Sequence, residues 1–239
     1  HMVDAPVSKR VISIFREITG EKTSVKVIHT FDIPVSSGFG ASGCGALSLA
    51  LCLNTYFNAG LTAEECGKIA HRAEVLSRTG LGDVIGQFYG GFEVRVKPGA
   101  PGIGEIRQLD SDDLCAVMCY EGKLDSTRIL SSSERLDKII QASEKSMKKI
   151  SISSNIDKII SLSRNFAHIS GLMTDDVRRT IKKLLESGFN MCSQIMLGNG
   201  VFCLCGRNGI HDVLSVMNNA WPSSKKLISD IAKRGACRW

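Results

Sequence analysis

No apolar run in the sequence is long enough to cross a bilayer, so a membrane-spanning helix within it is excluded and a membrane is not an expected partner. Paired C-x-x-C units are missing too. The nine cysteines are odd in number; Cys203 and Cys205 sit two apart on a predicted strand, and Cys44 and Cys52 lie in or beside an apolar helix. That pattern argues against zinc sites and disulfides and for buried free thiols in a reducing compartment. The first residues show no signal-peptide pattern, and a cytoplasmic location is expected. Aromatic residues are few, with two Trp and three Tyr scattered along the chain. No base-stacking platform is visible, and nucleic acid is not an expected partner. Internal repeats and low-complexity tracts are lacking as well.

What is present is the composition of an ordinary globular protein. The 239 residues, 43% hydrophobic and 23% charged, suffice for a core in one large or two small domains. The net charge of +6 is spread over short pairs such as Lys148-Lys149, Lys182-Lys183 and Lys225-Lys226, which read as solvated helix faces. Val7 to Ile18 has helical apolar spacing and predicts an amphipathic helix ending near Gly20. Ser24 to Ile33 alternates and predicts a strand. Ala46 to Asn54 predicts a buried helix. Thr62 with Glu65 forms a capping-box pattern that opens a helix running to about Leu76. Phe92 to Lys97 predicts a strand with Phe92, Val94 and Val96 inward and Glu93, Arg95 and Lys97 on the other face. Pro98 to Gly102 reads as a loop that begins a domain linker.

A second half opens near Asp110. Leu114 to Tyr120 reads as a central strand, and Ser133 to Met147, Ile156 to Ile169 and Thr174 to Glu186 as helices. Ser193 to Cys205 predicts two short strands around Gly198-Asn199-Gly200. Gly209 to Asn219 and Ser223 to Arg234 predict the last helices. The expected fold class is α+β in two lobes, residues 1–110 and 111–239.

The stretch around which the first lobe is organised is Pro34 to Gly45, PVSSGFGASGCG. Its glycines let the backbone turn sharply and leave no β-carbon in the way of a ligand. Strand, glycine turn and helix N-terminus together make an anion site, because free N–H groups converge there and the helix dipole favours negative charge. Ser36, Ser37 and Ser42 add hydroxyls that reach phosphate or magnesium. The plain alternative is a tight turn with close helix packing. No Lys-Ser/Thr follows the last glycine, so this is not a P-loop, and no βαβ unit with a terminal acid follows, so it is not a dinucleotide fingerprint. His71 and Glu74 share a helix face, and Asp83 sits in the glycine turn 78–84. Phosphoryl transfer needs a phosphate cradle, a metal ion and a group beside the acceptor hydroxyl, and these residues supply candidates for all three. The plain alternatives are a solvated helix-face acid for Glu74 and a turn former for Asp83. A phosphate-handling protein would also share the positive charge balance.

The pattern P-x-x-x-G-[LF]-G-x-S-[AG] over residues 34–43 resembles the phosphate loop of the GHMP kinases. Residues 70–75 (AHRAEV), 79–84 (TGLGDV) and 90–102 (GGFEVRVKPGAPG) resemble the archaeal pantoate kinases of that family, and residues 165–167 and 195–202 continue the likeness. The resemblance implies a ribosomal-protein-like N-terminal domain that binds ATP and a ferredoxin-like C-terminal domain. It implies an ATP- and Mg²⁺-dependent transferase that phosphorylates pantoate to 4-phosphopantoate in coenzyme A biosynthesis. By the same likeness Pro34, Ser36, Ser37, Gly38, Phe39, Gly40, Ala41, Ser42 and Gly43 wrap the nucleotide phosphates, Ser42 and Glu74 hold Mg²⁺, and Asp83 is the catalytic residue. His71, Arg95 and Thr127 would contact pantoate; Arg95 offers a forked cation for a carboxylate. For these three the plain alternatives are a helix-face position, an exposed strand residue paired with an acid, and a helix or turn start.

Two departures from the pattern stand out. The turn 196–200 has fewer glycines than the family's C-terminal motif. The opening strands with an Ala-Pro-Gly-His-like motif are absent, and His1 before Met2 reads as a cloning scar. An N-terminal deletion is therefore expected, with weak or no turnover and a homodimer formed through an exposed sheet edge. Other readings remain open: a homoserine- or mevalonate-type kinase of the same family, or a non-catalytic nucleotide- or RNA-binding module.

Overall fold

The computed structural model describes residues 4–80, 82–122, 133–150 and 154–236. Two compact units divide the chain: one holds the residues up to Val35, Gly40–Gln108 and the tail from Ala232, and the other holds Ser36–Phe39 and Leu109–Ile231. Among the described residues no helix is long and apolar enough to cross a membrane.

In the first unit helix α1 (Pro6–Thr19) starts on a proline, whose missing N–H costs nothing at that position, and stops at Gly20, left-handed at φ 74°. Helices α2 (Ala41–Tyr56) and α3 (Ala63–Ser77) pack against it. Val11, Phe15, Leu47, Ala50, Ile69 and Ala73 form the centre of the core between them. Small residues on α2 let the backbones approach, and burial of the Leu and Phe side chains stabilises the unit by roughly 1.5–3 kcal/mol each. The α2 helix is not buried all round, as its composition suggested. Cys44, Ser48, Cys52 and Tyr56 recur every fourth position on an exposed stripe, so the expectation of buried thiols fails for Cys44 and Cys52. The other described cysteines are buried, and all described cysteines are free.

The Thr62 hydroxyl accepts from Glu65 N–H, and the Glu65 carboxylate accepts from Thr62 N–H at 2.7 Å. Two orphan donors of α3 are thus satisfied reciprocally. Thr62→Ala is expected to lower the unfolding free energy by about 1 kcal/mol. Urea titration should show a lower midpoint with an unchanged slope; an unchanged midpoint would count against the cap.

Two further elements of this unit had no clear signal. Helix α4 (Asp83–Tyr89) has 7 residues and strand β2 (Glu105–Leu109) has 5, too few periods to show a pattern. Strand β1 (Phe92–Lys97) pairs with β2 in a two-stranded sheet. Val94 is buried, but Val96, expected inward, is exposed. Pro98–Gly102 joins β1 to β2 inside this unit, with the Pro101 ring over Gly67, where a Cβ would come within 2.8 Å. Residues 24–33 alternate in burial, yet no strand and no ladder partner is assigned to them among the described residues. Side chains hold this segment instead: Val25 and Val27 pack on the core, and His29 bonds the Ser8 hydroxyl at 3.0 Å and stacks on Phe31.

The second unit is an antiparallel sheet of order β4-β5-β3-β6 with helices packed on it. Its strands are β3 (Cys115–Tyr120), β4 (Cys192–Gln194), β5 (Gly200–Cys205) and β6 (Lys225–Asp230). Helices α5 (Ser133–Met147), α6 (Ile156–Ile169), α7 (Asp175–Glu186) and α8 (Ile210–Ala220) complete it. The interior strand β3 alternates, with Cys115, Val117 and Cys119 turned to a core that also holds Leu184, Met217 and Trp221. The run 223–234, read as a helix, contains β6. Leu227 and Ile228 suit either period, and the free edge of β3 decides: six residues pair from Cys115↔Asp230 to Tyr120↔Lys225, satisfying backbone groups that a helix there would leave unpaired.

Candidate functional site

In the first unit, side chains from α2, α3, α4 and β1 converge. Glu74 lies on the buried face of α3 and is 1% exposed. A carboxylate in such a place needs hydrogen bonds. It receives one from the Thr79 hydroxyl at 2.7 Å and one from the Ser42 hydroxyl at 3.1 Å. Burial pushes its pKa above the ordinary carboxylate value, those two hydrogen bonds oppose the rise, and the charge of Asp83 adds to it. This environment is unlike that of a solvated helix-face acid.

Asp83 is the first residue of α4. Burial raises its pKa as well, and the Arg95 guanidinium counteracts that. A Cβ at Gly80 would press on a Glu74 carboxylate oxygen and stand 3.1 Å from Asp83 Oδ2. The two acids therefore flank one small space that only a glycine leaves open. Asp83 also borders the N-terminal turn of α2, with its Cβ 3.1 Å from where a side chain at Gly43 would begin. That turn starts at Gly40, left-handed at φ 67°, and no side chain caps it. Its first N–H groups are thus available to an anion.

Arg95, on β1, lies over Gly82, where any Cβ would overlap its guanidinium. Its Nε is 3.5 Å from Glu93 Oε1. Burial raises the Glu93 pKa, Arg95 opposes this, and Asp83 adds to it. His71 is half-buried; burial and then Arg95 hold its pKa below the usual histidine value. At neutral pH it is therefore an uncharged imidazole with one donor and one acceptor nitrogen.

The structure brings Gly40, Ala41, Ser42 and Gly43 together with Glu74, Asp83, Arg95 and His71. Pro34 is half-buried in the same unit. Ser36–Phe39 group with the second unit. There the Ser37 hydroxyl donates to the Gly122 carbonyl at 3.0 Å, and the Phe39 ring meets Tyr120 edge-on. Ser36 is left-handed at φ 63°. A Cβ on Gly38 would approach Gly198 Cα to 2.7 Å, so the turn 196–200 meets this segment backbone to backbone. Thr127 lies outside the described residues.

Three residues of the first unit's cluster were not anticipated: Thr79, Gln87 and Glu93. Gln87 follows Asp83 by four on α4, so the two share a face, a relation that becomes visible only once α4 is known. Glu93 shares a strand face with Arg95, which the alternation did show.

A hard cation suits this donor set. One buried carboxylate and one hydroxyl, both oxygen, match Mg²⁺, which takes few protein ligands and completes its octahedron with phosphate and water. Among the described residues no group of three His, Cys, Asp or Glu side chains is assembled for a metal, so an all-protein cage does not compete.

Comparison with known proteins adds kinship. Residues 7–91 match the family described as GHMP kinases N terminal domain. The pantoate kinase of Thermococcus kodakarensis is 36% identical over 207 residues, covering 87% of this chain and 64% of that protein. The pantoate kinase of Methanocaldococcus jannaschii is 32% identical over 212 residues, covering 88% of this chain and 76% of that one. A solved structure described as a phosphotransferase related to the CoA biosynthesis pathway superposes with a TM-score of 0.80 at 29% identity, over 97% of this chain and 75% of that chain. The chain thus spans about two thirds to three quarters of the length of these relatives.

Proposed function

We infer the chemistry from kinship and geometry together: the chain belongs to the GHMP kinase family, and we propose that it phosphorylates pantoate with ATP and Mg²⁺, forming 4-phosphopantoate for coenzyme A biosynthesis. The observation that carries this reading is the Ser42–Glu74–Asp83 constellation at the uncapped start of α2.

Ser42 and Glu74 would hold Mg²⁺, which would supply positive charge to offset that of the phosphates. The N–H groups at the start of α2, from Gly40 onward, take the polyphosphate. Arg95 receives the carboxylate of the acceptor through its fork, and neutral His71 orients a hydroxyl. Asp83 accepts that hydroxyl's proton as the new O–P bond forms and the bond between the β- and γ-phosphates breaks, leaving ADP. The raised pKa of Asp83 makes it a better proton acceptor than a free aspartate.

The test is mass spectrometry of product after incubation with ATP, Mg²⁺ and, separately, pantoate, homoserine and mevalonate. Phosphopantoate as the dominant product supports the reading; phosphohomoserine or phosphomevalonate overturns the acceptor, and no phosphorylated product, from this chain or from one extended at its N-terminus to the length of its relatives, overturns the activity. Arg95→Lys is expected to raise KM for pantoate by about tenfold or more, because a point charge replaces a bidentate fork, with KM for ATP unchanged. Steady-state kinetics in both substrates checks this; parallel changes would remove Arg95 from the acceptor site.

A further inference from the structure

Gln87 has no role in the scheme above, yet its amide lies against the turn that the scheme relies on. It sits one helical turn beyond Asp83 on α4 and donates from Nε2 to the Gly40 carbonyl at 2.8 Å. The same carbonyl accepts the Cys44 N–H at 3.0 Å, the first ladder bond of α2. A Cβ on Gly40 would come within 2.7 Å of Nε2, and one on Gly43 within 3.1 Å of Oε1. The planar amide therefore occupies the space that these two glycines leave.

Packing alone does not select glutamine here. Its Oε1 is buried and has no hydrogen-bond partner among the described residues, a cost that an apolar side chain of similar shape would avoid. What the amide adds is the donor to Gly40. The backbone of Gln87 is fixed from the other side, since its carbonyl accepts the Ala236 N–H at 2.8 Å and a Cβ on Gly235 would collide with the Phe88 carbonyl.

We propose that Gln87 is a positioning residue that latches the left-handed Gly40 turn to α4, so that the phosphate-binding start of α2 and Asp83 are held in one register. This rests on the kinase reading above. Gly40 is held in a conformation of its own by the turn's φ of 67°, and a second bond on its carbonyl keeps the following N–H groups pointed outward. Without the latch the nucleotide would have to order that turn itself, and affinity falls accordingly.

The test compares the unchanged chain with Gln87→Met, similar in length and without a donor. The readouts are affinity for a non-hydrolysable ATP analogue with Mg²⁺, KM for each substrate, and amide exchange at Cys44. Expected are an approximately tenfold loss of analogue affinity, the value of one hydrogen bond, an equal rise in KM for ATP, faster exchange at Cys44, and a KM for pantoate within about twofold of the original. Gln87→Leu, apolar, uncharged and without a donor, gives the same result should Gln87→Met fail to fold. Unchanged analogue affinity in a folded variant, or equal rises in both KM values, overturns the latch and leaves the kinase reading standing. If the unchanged chain does not bind the analogue, both fall.

Discussion

Asp83→Asn lowers kcat by about 10²–10⁴-fold, the usual contribution of a positioned general base, while the protein stays folded. Asparagine keeps the shape and loses the proton-accepting charge. Folding should not suffer, because burial already disfavours the ionised carboxylate. The pH profile carries a second signature. Burial raises the Asp83 pKa and Arg95 only opposes it, so the ionised form that the proposed proton transfer needs is lost as pH falls through a value above the ordinary aspartate range. The acid limb of kcat/KM should therefore appear at higher pH than for a free carboxylate, and Asp83→Asn should flatten it. Near-normal turnover in Asp83→Asn, checked beside its circular dichroism, would remove this residue from the chemistry.

Glu74→Gln is expected to cost about 10²-fold or more in turnover, since several kcal/mol of charge stabilisation passes through a bound metal ion. Stability should move the other way. Burial raises the Glu74 pKa in the folded state, so the folded protein binds that proton more tightly than the unfolded chain. Such a group stabilises the fold while protonated and loses that contribution as pH rises from the ordinary glutamate value through the raised one. Ionised Glu74 without metal is therefore a strain on the fold, and the neutral amide should raise the unfolding midpoint at pH values where the carboxylate is charged. Added Mg²⁺ with nucleotide should stabilise the original protein and have a smaller effect on Glu74→Gln. Thermal unfolding in the four combinations checks this; a lowered midpoint together with retained activity would contradict both the metal role and the electrostatic account.

The split between what the sequence discloses and what it hides follows from the range of the forces involved. Local signals were readable: the Thr62–Glu65 box, the Gly20 stop, the turn around Gly198, and the glycine stretch before α2. Each is set by residues within a few positions of one another. Elements decided by distant partners were not readable. The 223–234 run contains a strand because β3 has an edge to fill, and 24–33 carries strand-like alternation without an assigned ladder. For the candidate site, motif likeness points to Ser42, Glu74, Asp83, Arg95 and His71, and their convergence is a property of the fold. Gln87 carries no signal in the sequence because its placement depends on a helix of 7 residues, too short to show a pattern. The stripe of Cys44, Ser48, Cys52 and Tyr56 was legible as a period of four, but the strong apolar character of α2 concealed it.

One crystallographic measurement addresses the whole account: Mn²⁺ in place of Mg²⁺, with a non-hydrolysable ATP analogue, located by anomalous scattering. An anomalous peak about 2 Å from Ser42 Oγ and the Glu74 carboxylate, with the phosphate chain against Gly40–Gly43 and Asp83 facing the terminal phosphate, is the predicted result. A nucleotide and cation bound away from the start of α2, with Ser42 still hydrogen-bonded to Glu74, would contradict it.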